Sequence, residues 1–235
     1  MIKNVIFDLG NVLISFKPSD YFDKKNYPEA IRNTILTDIF ASKEWLMLDN
    51  GEISTPDAIE AISKKSSLNK KEIAHIFNLR TDLMFPLDTN VRLLPGLKKR
   101  GFRLYFLSNF PEDIFEEVKS GYFFFKYFDG GLISAEAKSS KPEEGIYKIL
   151  VERYSLNANE CLFIDDIEKN VRTAEALGMK GLTTLGSLEI SKEIDKALGN
   201  SYFYYPPRPS GASPRGEEKV MVIAVIIFDG KFSPA

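Results

Sequence analysis

Four polar clusters in this chain each follow or flank a short apolar run. Asp8 follows "NVIF", and Ser108 and Asn109 close "FRLYFLSN". Lys141 lies in "SSKPEEGIY", and Asp165 and Asp166 close "ECLFIDD". Taken singly, each is ordinary: an Asp after a buried strand, a Ser-Asn turn, a Lys before Pro, a pair of acids capping a helix. Taken together they describe a site for phosphorus chemistry. A carboxylate such as Asp8 can attack phosphorus and form an aspartyl-phosphate. Phosphoryl transfer otherwise asks for positioning and for neutralisation of the phosphoryl oxygens. A Mg²⁺ ion takes oxygen ligands, a few of them carboxylates. Asp8 and Asp166 can supply carboxylates and the Gly10 carbonyl a third oxygen. The Ser108 hydroxyl and the neighbouring Asn109 can hold phosphate oxygens, and Lys141 adds a point charge beside the nucleophile. Asp165 can support the loop or the outer sphere of the metal. Asn170, one helical turn past Asp166, can steady that outer sphere.

Such a constellation needs strands that end together. "VIFDL", "FRLYFLSN", "GGLIS" (130–134), "ECLFIDD" and "KGLTTL" (180–185) are short, β-branched or aromatic runs closed by polar or glycine residues, and read as five buried strands. Helical patterns separate them: "NVRLLPGLKKRG", "PEDIFEEVKS", "PEEGIYKILVERY" and "EKNVRTAEALG". Alternating strand and helix predicts an α/β, doubly wound, Rossmann-like parallel sheet. Ligands of such sheets bind at the carboxyl ends of the strands, where the four clusters fall. Pro142 is expected in the first turn of the helix after Lys141.

Residues 19–86 break the rhythm with helical stretches and no good strand, which predicts a small α-helical cap inserted after the first strand. The core is then residues 1–18 and 87–200. Residues 201–235 form a Pro/Gly/Ser-rich extension whose "VMVIAVIIF" (220–228) could add a strand.

The composition excludes several classes. With 235 residues, 44% hydrophobic and 27% charged, the chain can bury one sizeable core. A net charge of −2 gives no pull toward nucleic acid or an acidic membrane. No apolar run nears the ~20 residues of a membrane span. The single cysteine, Cys161, and the absence of a leader pattern fit a cytoplasmic setting. His75, the only histidine, rules out a histidine-rich metal cluster and reads as an ordinary helical residue. Trp45 can pack the cap core or wall the pocket, packing being the favoured reading, and "FFFKYF" (123–128) reads as core and helix-end packing.

The motifs resemble those of the haloacid dehalogenase (HAD) superfamily. "VIFDLGNVL" is similar to its first motif, "LYFLSN" to its second, "SSKPEEGIY" to its third and "CLFIDDIEKNVRTAEALGM" to its fourth, over roughly residues 3–190. "FDLGNVL", "DNGEIS" (49–54) and "IDDIEKN" look closest to the branch with α-glucose-1-phosphate phosphatases and the phosphatase domain of soluble epoxide hydrolases. The resemblance implies a Rossmann-like core, Mg²⁺, hydrolysis of a small phosphorylated metabolite such as a sugar phosphate, and a mobile helical cap that chooses it.

Gly10 departs from the pattern. Family phosphatases carry there an Asp that protonates the leaving oxygen and then activates water, a service typically worth ~10²–10⁴-fold. Three expectations follow: a leaving group that departs easily, a proton from the cap or the substrate, or a phospho-ligand binding protein with vestigial catalysis. A dehalogenase would need no cation, and the adjacent acids Asp165 and Asp166 argue against it.

Overall fold

The computed structural model describes residues 1–184 and 190–199. Strands β1 (Asn4–Phe7), β2 (Ile14–Phe16), β3 (Met84–Pro86), β4 (Arg103–Ser108), β5 (Gly130–Ile133), β6 (Cys161–Asp165) and β7 (Lys180–Thr183) follow in chain order. Five of them form one sheet in the order β5–β4–β1–β6–β7, with every pairing parallel. The chain leaves central β1 toward β4 and β5 on one side, then returns to β6 and β7 on the other. The reversal of strand order lies at β1, so the crevice for ligands opens beside Asp8.

Strand residues point alternately to the two faces. Val5, Phe7, Leu104, Phe106, Leu162 and Ile164 join one core with the helices Leu93–Lys99 and Glu112–Gly121. Ile6, Tyr105, Leu107 and Phe163 join the other with Glu144–Arg153 and Glu168–Ala176. Burial on both faces explains why these strands read as continuous apolar runs rather than alternating ones. The "FFFKYF" stretch divides: Phe124 is buried, Phe125 and Phe128 pack on Phe106, and Phe123 is exposed. Cys161 is buried at the start of β6.

Between β2 and β3 the chain forms helices with a separate core of Phe22, Ile35, Ile39, Leu48, Ile62, Ile73 and Phe77 among others. Local chemistry fixes their starts. Ser42 accepts from the Trp45 N–H to open helix Lys43–Asp49. Ser54 with Asp57, and Asn69 with Glu72, form capping boxes at helices Thr55–Ser63 and Lys70–Asn78.

Two expectations are corrected. Residues 19–86 are not strand-free: β3 pairs antiparallel with β2, so a two-stranded ribbon carries the chain into and out of the helical block. Three residues ending in proline give no period to read. Pro142 is not in a helical first turn. The Lys141–Pro142 peptide is cis and the helix begins at Glu144. The 201–235 extension lies outside the described residues. Among the described residues no helix is long and apolar enough to cross a membrane.

Candidate active site

Asp8 comes one residue after β1 and is 6% exposed. Its Oδ1 accepts from the Leu9 N–H at 2.7 Å and the Ser108 hydroxyl at 2.7 Å. It also meets Lys141 Nζ at 2.9 Å. Oδ2 is the carboxylate atom turned toward Gly10: a Cβ built on Gly10 would lie 3.9 Å from it, with no other heavy atom within 4 Å beyond the chain neighbours. The glycine therefore borders open space, and its backbone is not in the left-handed region. Sterics do not require a glycine here.

Lys141 is buried and bridges two acids, reaching Asp165 Oδ2 at 2.6 Å as well as Asp8. Burial disfavours its charge, but Asp8 and Asp165 outweigh that and raise its pKa. Asp165 is fully buried and fully engaged. Beyond Lys141 it accepts from the Ile167 N–H at 2.8 Å and from the Asn170 amide at 3.0 and 3.1 Å. The two acids of "IDDI" thus differ: Asp165 anchors Lys141 and the loop, while half-buried Asp166 stays open to the crevice.

One oxygen each of Asp8, Asp165 and Asp166 lie within 4.8 Å of one another. Burial pushes the Asp8 carboxyl up to about 6, Asp165 adds to the rise, and Lys141 and Ser108 oppose it. Burial and Asp165 raise Asp166 too. Clustered carboxylates held reluctant to ionise are the donor set that a hard divalent cation satisfies, since its charge favours their ionised forms. The residues present fit a magnesium ion on that ground.

The structure brings Asp8, Ser108, Lys141, Asp165 and Asp166 together and puts Gly10 beside them. Asn109 and Asn170 adjoin the cluster, their side chains bonded to the Lys141 backbone and to Asp165. The Asn109 amide clamps the Lys141 backbone, donating to its carbonyl at 3.0 Å and accepting from its N–H at 2.8 Å. Its backbone N–H is what it can offer a phosphate. Asn170 holds Asp165, and its own carbonyl receives the Tyr147 hydroxyl at 2.9 Å. His75 lies on helix Lys70–Asn78, on a groove with Tyr27, Ile31 and Ile76 that Asp8, Asp165 and Asp166 do not line.

Two contributors were missed. Asn11 has φ 52°, a left-handed conformation that Asn tolerates. Its side chain accepts from the Phe16 N–H at 3.1 Å and lies close enough to Asp166 to oppose the rise of that carboxyl's pKa. The signal was available, an Asn directly after the turn glycine. Ser134 accepts from the Phe110 N–H at 2.9 Å and donates to the Asp49 carbonyl, tying the loop after β4 to the helical block. A buried serine after a strand gives no such signal. Lys138 Nζ to the Gly51 carbonyl at 2.6 Å, and Arg80 with Thr55 on Asp113 at 3.0 and 2.7 Å, complete the bridge.

A family model described as haloacid dehalogenase-like hydrolase matches residues 2–178. The chain belongs to the haloacid dehalogenase-like hydrolase family. The expectation of a HAD-like phosphatase holds for it. A sesquiterpene phosphatase of Aspergillus oryzae is 28% identical over 197 residues, covering 84% of this hydrolase and 97% of the relative. Bifunctional epoxide hydrolase 2 of Rattus norvegicus is 27% identical over 125 residues, 51% of this chain and 22% of that protein. A HAD-family enzyme of Bacteroides thetaiotaomicron, solved as an aspartate-to-alanine variant with magnesium and inorganic phosphate, superposes at a TM-score of 0.66. It is 25% identical and covers 83% of this chain and 99% of that one.

Proposed function

We propose that this hydrolase is a Mg²⁺-dependent phosphomonoesterase acting on a small phosphorylated metabolite through an aspartyl-phosphate on Asp8. The carrying observation is the trio Asp8, Asp165 and Asp166 gathered within 4.8 Å beside a buried lysine. The magnesium and phosphate in the Bacteroides thetaiotaomicron structure support the reading.

With Oδ1 occupied by three donors, Oδ2 is the oxygen left for a ligand or an electrophile. Asp8 forms a bond to phosphorus as the bond to the leaving oxygen breaks, and water then frees phosphate. The Ser108 hydroxyl, by turning its one proton from Asp8 to a phosphoryl oxygen, and the Asn109 N–H hold the phosphoryl group. Lys141 keeps Asp8 oriented and neutralises charge at the transferring group. Magnesium, held by Asp8, the Gly10 carbonyl and Asp166, would neutralise phosphate oxygens. Asp165 and Asn170 position Lys141 and the loop. Residues 19–86 act as the cap, over a core of 1–18 and 87–200.

Gly10 supports a second reading, a phospho-ligand binding protein with vestigial catalysis, because it leaves no carboxyl next to the leaving group. A sugar phosphate and, from the Aspergillus oryzae relative, a terpenoid phosphate are the substrate classes to compare. Hydrolysis of aryl, sugar and isoprenoid phosphates, assayed with chelator and after Mg²⁺ is restored, tests the proposal. Turnover should vanish with chelator and return with Mg²⁺. Undiminished turnover in chelator overturns the metal assignment. Mg²⁺-dependent binding without turnover favours the second reading.

A further inference from the structure

Helix Lys43–Asp49 spans roughly 10 Å, and both its ends are tied to the site. At its C-terminal end the Asp49 carbonyl receives the Ser134 hydroxyl, whose oxygen accepts from the N–H of Phe110, two residues past Ser108. Toward its N-terminal end Trp45 stacks on Phe16, with ring centroids 6.0 Å apart and planes 16° apart. Phe16 in turn donates its N–H to Asn11, whose side chain lies beside Asp166. Asp8 bonds Ser108 and clusters with Asp166. The helix is therefore linked at one end to the Ser108 side of the crevice and at the other to the Asp166 side.

The middle turn of this roof is apolar. "WLML", residues 45–48, covers more than one turn of 3.6 residues, so no polar side chain faces out in any direction along it. Leu48 goes into the helical core, Leu46 is 52% exposed, and Trp45 and Met47 are half-buried. Phe40 sits 4.8 Å from Trp45 and 5.9 Å from Phe16, and all three rings keep exposed area while Phe22 and Phe77 are buried behind them. Beside Asp166, Ile167 is 54% exposed. A sugar-selective wall would be expected to carry hydroxyl, amide or charged side chains here. Exposed large apolar groups on both sides of a polar site instead mark a ligand with an apolar part.

Resting on the phosphomonoesterase reading, we propose that Phe16, Trp45 and Leu46 are specificity-determining residues that select a phosphate ester with an apolar leaving group. The phosphoryl group sits on the acidic floor and the hydrocarbon lies along the aromatic roof.

Trp45 is the only tryptophan, so its emission reports the roof directly. The wild-type chain is titrated with alkyl phosphonates of rising chain length and with a glucose phosphonate, all with Mg²⁺ and none hydrolysable. Emission should change with the alkyl series, and affinity should rise about two- to fourfold per methylene over the first few carbons. The glucose compound should bind at least tenfold more weakly than the longest chain. Independence of chain length, or tighter binding of the glucose phosphonate, overturns the proposal. Kinetics supply the second arm. The 4-alkylphenyl phosphates hold leaving-group acidity nearly constant, so kcat/KM should climb with chain length through KM. Trp45→Ala should flatten that climb and Trp45→Phe should retain it, whereas a retained climb in a folded Trp45→Ala variant overturns the role of Trp45. If no ester is hydrolysed with Mg²⁺, the phosphomonoesterase reading fails, and the titration still decides the roof.

Discussion

The floor and the roof of the crevice are built on opposite principles. On the floor, hydrogen bonds and ion pairs fix Asp8, Ser108, Lys141, Asp165 and Asn170 in a buried network. On the roof, helix Lys43–Asp49 is held by one hydrogen-bonded group at each end, and Trp45, Leu46 and Met47 between them are apolar and partly exposed. A polar network in a buried place accepts few residue types, because an unpaired member is costly. An apolar wall accepts many, because it asks only for shape and hydrophobicity. Chemistry is therefore written in specific residues and selectivity in surfaces.

Substitutions should divide along that line. Asp8→Asn keeps the shape and removes the attacking charge. Turnover should fall on the order of 10⁴-fold or more, measured in single-turnover assays, while the fold persists. Normal turnover would remove Asp8 from its role. Lys141→Met leaves Asp8 and Asp165 facing each other without a cation. Removing one partner of a buried ion pair costs about 3–5 kcal/mol, so denaturant melts should show a loss of that order. A loss below about 1 kcal/mol would mean that the floor is less interlocked than its distances imply.

How legible the two regions were follows the same division. The five parallel strands and the places of Asp8, Ser108, Asp165 and Asp166 could be read because the central strands are buried on both faces and these residues sit at or just past their ends, while Lys141 was read from its own motif. Ser134 acts through a partner far along the chain, Asp49, and no local pattern announces such a contact, whereas Asn11 carried a local signal in its place after the turn glycine. The short ribbon of β2 and β3 escaped because three residues give no period. Asn109 was read as a phosphate ligand from its place after Ser108, yet its amide is engaged by the Lys141 backbone. Trp45 was read as packing. It does pack, stacked on Phe16 at the rim of the helical core.

Gly10→Asp sharpens the comparison from the floor. Because Gly10 borders open space next to Asp8 Oδ2, an added carboxyl has room. It should raise turnover of simple alkyl phosphates by about 10²-fold, the low end of general acid help, and barely change activated aryl phosphates. Equal effects on both would show that protonation of the leaving group is already supplied elsewhere.

The smallest expected effect is at the end of the roof helix. Burial raises Asp49 to about 7, with Arg80 opposing the rise. Its unfolded value lies near 3.8, so between about pH 4 and pH 7 the folded chain holds the extra proton. Stability from this group falls as pH rises through that window and stays lost above it. Asp49→Asn removes the penalty. The variant should melt a few degrees higher than wild type at pH 8 and gain no such advantage at pH 4. An equal shift at both pH values would mean that ionisation of Asp49 does not carry the effect.

The central claim is that Asp8 accepts the phosphoryl group. The direct measurement is to mix the chain with Mg²⁺ and an aryl phosphate, quench in acid, reduce with borohydride and analyse the peptide that carries residue 8. An aspartyl-phosphate is reduced to homoserine, so the account predicts homoserine at position 8, dependent on both substrate and Mg²⁺. An unmodified Asp8 from enzyme quenched during a single turnover, or reduction at another carboxylate, would contradict it.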